Sequence, residues 1–230
     1  MIATRVCILL AAAVTFIGAS DAQKMPPLSR YLMAPNAEIA LARSAAPASI
    51  SQHATIMVLT STGYSIAVKG QNGFTCLVER AFAEPDMGMF GNVRIQDPTC
   101  YNAPASRSVL AYTLKRASMA IGGATGVQIE QAIQKDIASK ALPVAPPDSI
   151  AYMMSKDQYI DDASRNWFPH LMFFMPHADG ANLGLIWGAD RMRSPIAYDP
   201  RVVTHEPWAR FFVPVSHWSD GSSAPPYTGT

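Results

Sequence analysis

The sequence predicts an α+β fold: an antiparallel sheet of about five to seven strands that opens with a three-stranded N-terminal meander and carries an αα-hairpin on one face. Three observations predict it. Apolar residues recur with period two between Ala54 and Glu79, with turn residues separating the runs. The period becomes helical between Ser106 and Ala141, where Gly122 and Gly123 divide the pattern in two. Strands then return at Ile150–Met154, in Asn166–His177, where period two reappears, and at Phe211–His217, which is apolar on both faces.

Ahead of the fold, Arg5 precedes an apolar run from Val6 to Gly18 that closes on Ala19, Ser20 and Ala22. These are the three regions of a cleavable signal peptide, residues 1–22, with cleavage near Ala22. Cys7 stands too early in the run to be a lipidated cysteine at the cleavage site, so a lipid anchor is not expected. Periplasmic or secreted localisation follows, and no later stretch reads as a membrane span. Residues 23–218 read as a single α+β domain and 219–230 as a flexible C-terminal tail. The precursor has 18 basic and 17 acidic residues with no run of either sign, which argues against a nucleic-acid partner. Loss of Cys7 leaves Cys76 and Cys100 as an even pair in an oxidising compartment, the expected disulfide. The absence of an Asn-x-Ser/Thr acceptor favours a bacterial source.

Taken in order, Asn36 offers an N-cap to a short peripheral helix over Ala37–Ala46, with Pro47 just beyond it. Ile56–Leu59, Tyr64–Val68 and Phe74–Val78 then form the meander, turned at Thr62-Gly63 and at Gln71-Asn72-Gly73. After Glu84-Pro85-Asp86 a short strand is expected at Val93–Gln96, ahead of Asp97-Pro98-Thr99-Cys100. The first long helix opens at Pro104 and Ser106, buries Leu110, Leu114, Ala117 and Ile121, and turns Lys115 and Arg116 away. Thr125 and Gln128 form a capping box for the second, which buries Ile129, Ile133, Ile137 and Ala141. In Asn166–His177, His170, Met172 and Phe174 share one strand face and Leu171, Phe173 and Met175 the other. Gly180–Pro200 reads as a long loop, and Pro214 restricts the last strand to an edge or a bulge.

Five segments carry a resemblance: Ile39-Ala-Leu-Ala-Arg-Ser-Ala-Ala-Pro-Ala-Ser-Ile50, Ala67-Val-Lys-Gly-Gln-Asn-Gly-Phe-Thr-Cys-Leu-Val-Glu-Arg80, Tyr152-Met-Met-Ser155, Pro169-His-Leu-Met-Phe-Phe174 and Val215-Ser-His-Trp-Ser-Asp-Gly221. Together they resemble a group of uncharacterised secreted bacterial proteins. The resemblance implies no activity. In that group's pattern a His-Pro-His often stands where this chain has Phe168-Pro169-His170, a departure that weakens a metal reading.

Motifs for a nucleophile elbow, a phosphate loop, a dinucleotide fold, Cys-x-x-Cys and an EF-hand are all missing. His205-Glu206-Pro207-Trp208-Ala209 begins like a zincin helix but has alanine where the second histidine must stand, so it reads as a turn. What remains is a concentration: four of the five histidines and all four tryptophans follow residue 166. His170, His177 and His217 could supply imidazoles to a metal, with Asp179 or Asp220 as a further ligand or base and zinc as the metal. Trp167, Trp187, Trp208 and Trp218, with Asp179 and Asp220, could instead stack on and hydrogen-bond a small molecule. Core and rim packing is the ordinary use of tryptophan, and a backbone-bonded strand-end histidine is commoner than a ligand.

The reading is an accessory or small-ligand-binding protein without catalysis or cofactor, its partner a small molecule or an envelope component. The alternative is a metal-dependent hydrolase on His170, His177 and His217. A structural envelope protein stands third, and buried aromatic residues with scattered histidines would favour it.

Overall fold

The computed structural model describes residues 25–83, 89–176, 196–197 and 206–226. The leader expected at residues 1–22, His177, Asp179, Trp187 and His205 lie outside the described residues. After a 3-10 turn at Leu28–Arg30 come helices α1 (Pro35–Arg43) and α2 (Ala48–Ser51). α1 starts two residues earlier than a helix capped by Asn36 would: Pro35 occupies the first turn and Ala34 is the cap, with no side-chain cap bond. Proline fits there because its fixed φ is helical and its missing N–H is one the helix leaves unpaired anyway.

Eight strands follow: β1 (Thr55–Thr60), β2 (Gly63–Val68), β3 (Thr75–Glu79), β4 (Asp97–Tyr101), β5 (Ile150–Met153), β6 (His170–Pro176), the two-residue β7 (Ile196–Ala197) and β8 (Trp208–Pro214). They form one sheet in the order β2-β1-β3-β4-β5-β6-β8-β7. Every pairing is antiparallel except that of β1 with β3, so the sheet is mixed and the class is α+β.

The expected meander is corrected by this order. β3 leaves β2 and pairs in parallel with the far side of β1. Burial explains the exchange: Cys76, Leu77, Val78 and Glu79 of β3 are all buried, whereas Ser65, Ile66 and Ala67 of β2 are exposed. A strand buried on both faces needs neighbours on both sides. The chain reaches its new place by crossing the start of β1 at Gly70. A Cβ there would lie 2.2 Å from the Thr55 nitrogen and 2.3 Å from the Ala54 carbonyl carbon, so only glycine passes. Asn72 secures the crossing, accepting from the Phe74 N–H at 3.1 Å and donating to the Ile50 carbonyl at 2.8 Å.

β4 replaces the strand expected at Val93–Gln96; of that segment, Gln96 alone makes an isolated bridge, to Tyr159. Pro98 is tolerated inside β4 because β5 pairs only with Cys100 and Tyr101, leaving β4 one partner at the proline. Cys76 and Cys100 face each other across β3 and β4 and form a disulfide with a sequence separation of 24. Closing that loop stabilises the fold by about 3 to 4 kcal/mol in the chain-entropy model.

Helices α3 (Ala103–Ser106), α4 (Val109–Ile121) and α5 (Gly126–Ala138) divide what the sequence reads as two. Asn102 caps α3 by accepting from Ala105 N–H at 3.0 Å, and Thr125 with Gln128 forms the expected capping box on α5. Val109, Leu110, Ala117, Ile129 and Ile133 share one apolar core with Leu59, Leu77, Tyr101, Met172 and Phe174. Full burial of Leu77, Ile129 or Ile133 contributes about 1.5 to 3 kcal/mol each. The opposite face, around Ile56, Cys76, Val78 and Cys100, is covered by Ala42, Ala45 and Ala46. α1 is therefore not peripheral, and its Glu38 is fully buried.

Glu38 has a definite task there. β1 and β3 pair only at Thr55 and Ile56, after which Leu59 loses a strand partner on that side. The Glu38 carboxylate takes the Leu59 N–H at 3.1 Å and the Arg80 guanidinium at 2.9 Å. Arg80 in turn donates to the carbonyls of Tyr31 and Val78. The end of the chain is also tied down: Ser219 N–H donates to Met154 O and Ala224 N–H to Ser216 O, both at 2.9 Å. Residues 219–226 are thus a fastened turn where the sequence suggests a flexible tail.

Candidate functional site

A set of buried charged and polar side chains gathers under α4, on the sheet face that shares its core. Strand alternation puts Leu77 and Glu79 on that face and Cys76 and Val78 on the other. The β3–β4 register sets Asp97 directly opposite Glu79. Glu79 is 1% exposed; its Oε1 accepts from the Tyr101 hydroxyl at 2.5 Å and from Thr113 Oγ1 at 3.5 Å. Its Oε2 is buried without a hydrogen-bond partner among the described residues. Burial, and then the nearby Asp97 charge, push the Glu79 carboxyl up to about 8, against the opposing pull of Tyr101, Arg210 and Arg116. It holds a proton at neutral pH.

Beside this pair runs a chain of buried ions. Arg116 of α4 meets Glu130 of α5 at 3.3 Å and Glu206 at 2.8 Å, and Glu206 meets Arg210 of β8 at 3.2 Å. Burial opposes the Glu206 charge, yet the Arg210 and Arg116 guanidiniums hold its carboxyl down to about 2. This corrects the sequence reading of Arg116 as turned away, since the residue is 3% exposed. The ions tie α4, α5 and β8 into one unit. Breaking such a pair by removing one partner costs about 3 to 5 kcal/mol, because the other charge is left buried alone. The recess beside the ions, lined by Tyr101, Thr113, Arg116, Phe174, Glu206 and Arg210 among others, has room for about one water molecule.

The residues predicted from the sequence are not drawn together. His170 is completely buried, ringed by Trp167, Phe168 and Phe212 with ring centroids 6.2, 5.1 and 5.1 Å away. Its Nδ1 lies 2.9 Å from the Phe168 carbonyl, which can only accept, so Nδ1 carries the hydrogen and Nε2 keeps a bare lone pair. Burial lowers its pKa to about 4, the Phe168 hydrogen bond opposing, and the ring is neutral. His217 is exposed and paired with Ser216 Oγ at 2.9 Å. Among the described residues no three His, Cys, Asp or Glu side chains are grouped to hold a metal.

Two of the tryptophans predicted to bind ligand serve the core instead. Trp208 is 4% exposed and packs edge-on against Tyr112 and Phe174, with centroids 4.6 and 6.0 Å away. Trp218 is also buried. Trp167 is half-buried, stacked on Phe168, and donates its indole N–H to Asp161 at 3.3 Å. Asp220 pairs with Lys156 at 2.6 Å and accepts from Ser222 N–H, closing the C-terminal turn; the Lys156 hydrogen bond leads in lowering its pKa.

No family model, curated protein or solved structure matches the chain. Its chemistry has to be read from its own geometry.

Residue type concealed Glu79, Asp97, Arg116, Glu206 and Arg210, because glutamates and arginines ordinarily face solvent. A signal was present at Arg116. It falls on the stripe of Val109, Tyr112, Thr113, Ala117 and Ala120, all buried, at helical spacing.

Among the described residues a second surface is open. β2 is the outermost strand, carries no charge from Gly63 to Val68, and leaves Ile66 57% exposed. Leu59 gives its N–H to Glu38, away from β2, so Tyr64 opposite it, and Ile66 two residues on, turn their backbone N–H and C=O outward. Free edge groups of this kind accept an added strand.

Proposed function

We propose that the chain is a periplasmic or secreted accessory protein with no catalysis of its own, which binds an extended segment of an envelope or secreted partner along the free edge of β2. The open, uncharged edge carries this reading, with Tyr64 and Ile66 presenting backbone groups beside an exposed apolar side chain. Burial of Trp208 and Trp218 supports it over an aromatic ligand platform. The leader pattern supports an extracytoplasmic site of action, as does the disulfide between β3 and β4. Among the described residues no helix is long and apolar enough to cross a membrane.

Site-specific photo-crosslinking in exporting cells tests this. A photoreactive side chain at Ser65 should give a discrete adduct, and one at Val127, also exposed, should not. Ile66→Pro removes an outward N–H while leaving the bonds to β1 in place, and should abolish the Ser65 adduct. An adduct that survives Ile66→Pro, or no adduct at Ser65, would reject edge binding. An adduct of twice the chain's own mass would identify the partner as a second copy.

A further inference from the structure

The carboxyl pair beneath α4 has no part in edge binding and carries a separate inference. Glu79 and Asp97 are side by side on one face, directly opposed in the β3–β4 register, with Glu79 sealed from solvent. Directly opposed side chains have Cβ atoms about 4.5 to 5.5 Å apart, a separation at which two buried like charges repel strongly. Oε1 of Glu79 is taken by Tyr101 and Thr113, and Oε2 is buried without a partner among the described residues. An ionised Glu79 would therefore leave an unpartnered negative oxygen beside a second carboxyl under the helix.

We propose that Glu79 and Asp97 ionise one at a time, the retained proton sitting on Glu79, and that losing this proton loosens α4 from the sheet, so that the seat of the helix is a pH-sensitive switch. The groups facing the pair from each packed element fit this. β4 contributes Asp97 and Tyr101, α4 contributes Thr113 and Arg116, β8 contributes Arg210, and β2 contributes Tyr64, whose hydroxyl donates to Val78 O at 2.6 Å. The Arg116 and Arg210 charges pull toward an ionised Glu79, but both are shared with Glu130 and Glu206. Glu38 and Arg80, which also act on Tyr64, neutralise each other. The contact that breaks is specific. Glu79 joins β3 to Tyr101 of β4 and Thr113 of α4 through one oxygen, so a rearrangement of its carboxyl reaches the helix directly. The elevated Glu79 pKa, caused first by burial and then by Asp97, places the transition near pH 8.

The test combines carboxyl-carbon NMR titration of the full mature chain with amide hydrogen exchange along α4 from pH 6 to 9, corrected for intrinsic base catalysis. Glu79 should titrate near pH 8 in the wild type and at least one unit lower in Asp97→Asn. Up to that midpoint each pH unit should raise the open population of α4 about tenfold, and above it the rise should level off. Glu79→Gln should make α4 protection independent of pH, with exchange at Ser139, just past the end of α5, unchanged in either protein. A Glu79 carboxyl that titrates near 4.5, or a wild-type α4 whose corrected protection is flat to pH 9, would overturn the proposal. The wild-type titration decides the matter even if Glu79→Gln fails to fold.

Discussion

Replacing His170 with phenylalanine should convert a flat pH-stability profile into a sloping one. His170 is held neutral, with its pKa lowered to about 4 from an ordinary 6.5. Between those values the unfolded chain binds a proton that the folded chain refuses, so stability rises with pH. At 1.36 kcal/mol per unit the window is worth about 3 kcal/mol. Glu79 works in the opposite sense. Its pKa is raised from 4.5 to about 8, so the folded chain keeps a proton that the unfolded chain releases, and stability falls across that window. The two slopes cancel between about pH 4.5 and 6.5, leaving a plateau. Above it Glu79 acts alone and about 2 kcal/mol is lost by pH 8. Below it Glu206, whose pKa is held down to about 2, loses about 3 kcal/mol of stabilisation as it protonates. His170→Phe fits among Trp167, Phe168 and Phe212 and removes one half of the cancellation. It forfeits the bond to the Phe168 carbonyl, about 1 kcal/mol at every pH. The variant should then lose about 1.4 kcal/mol per pH unit from pH 4.5 upward. Urea unfolding at half-unit pH steps, followed by tryptophan fluorescence, measures this directly provided the slope in urea stays constant. A variant that keeps the wild-type plateau would refute the assignment of His170 as a buried neutral ring.

Two further substitutions probe the frame. Gly70→Ala puts a methyl 2.2 Å from the Thr55 nitrogen, inside contact distance of backbone that cannot move without parting β1 from β3. It should cost about 3 kcal/mol or more, read as a lowered urea midpoint, whereas Gly123→Ala, with open space around its Cβ position, should cost only about 1 kcal/mol for its positive φ. Glu38→Ala strands the buried Arg80 guanidinium and the Leu59 N–H together, and should cost about 3 to 5 kcal/mol. The Glu38→Met, Arg80→Met double variant should be less damaging than Glu38→Ala alone. If the double variant is the worse of the two, the pair contributes net attraction beyond the penalty of an unpartnered charge.

Local signals in the sequence were sound where the deciding physics was local. The alternation of His170, Met172 and Phe174 follows from the pleat alone, and all three are buried on one face as read. The Thr125 and Gln128 capping box needs only four consecutive residues. Strand order is not legible locally, because Asn72-Gly73 promises a turn and says nothing about which side of β1 the next strand joins. The apolar residues on both faces of β3 held that information, in contrast to the weakly apolar β2. The Pro98 segment was passed over as non-strand, because a proline is acceptable only where the neighbouring strand stops short, and the length of β5 is set elsewhere. The histidines and tryptophans drew attention by type, yet His170, Trp208 and Trp218 are sealed into packing. The charged groups that do converge come from positions 79, 97, 116, 130, 206 and 210, and no window of sequence contains them.

Topology brings those residues together, and it also links the buried pair to the free edge. α4 lies across the sheet face as a strap. Near its start Tyr112 packs on Trp208 of β8, and at its middle Thr113 and Arg116 reach Glu79 and Glu206. At its end Ile121 comes within 4.0 Å of the Cβ position at Gly63, the first residue of β2. A helix loosened over Glu79 therefore also withdraws support from the strand whose outer edge is open. If both proposals hold, edge binding and the charge state of Glu79 are coupled by one rigid element, and the coupling is reciprocal. The Ser65 adduct should then weaken between pH 7 and 9 in the wild type and stay constant in Glu79→Gln. An adduct equally insensitive to pH in both proteins would separate the two, leaving the edge as a passive surface and the carboxyl pair as a feature of the core alone.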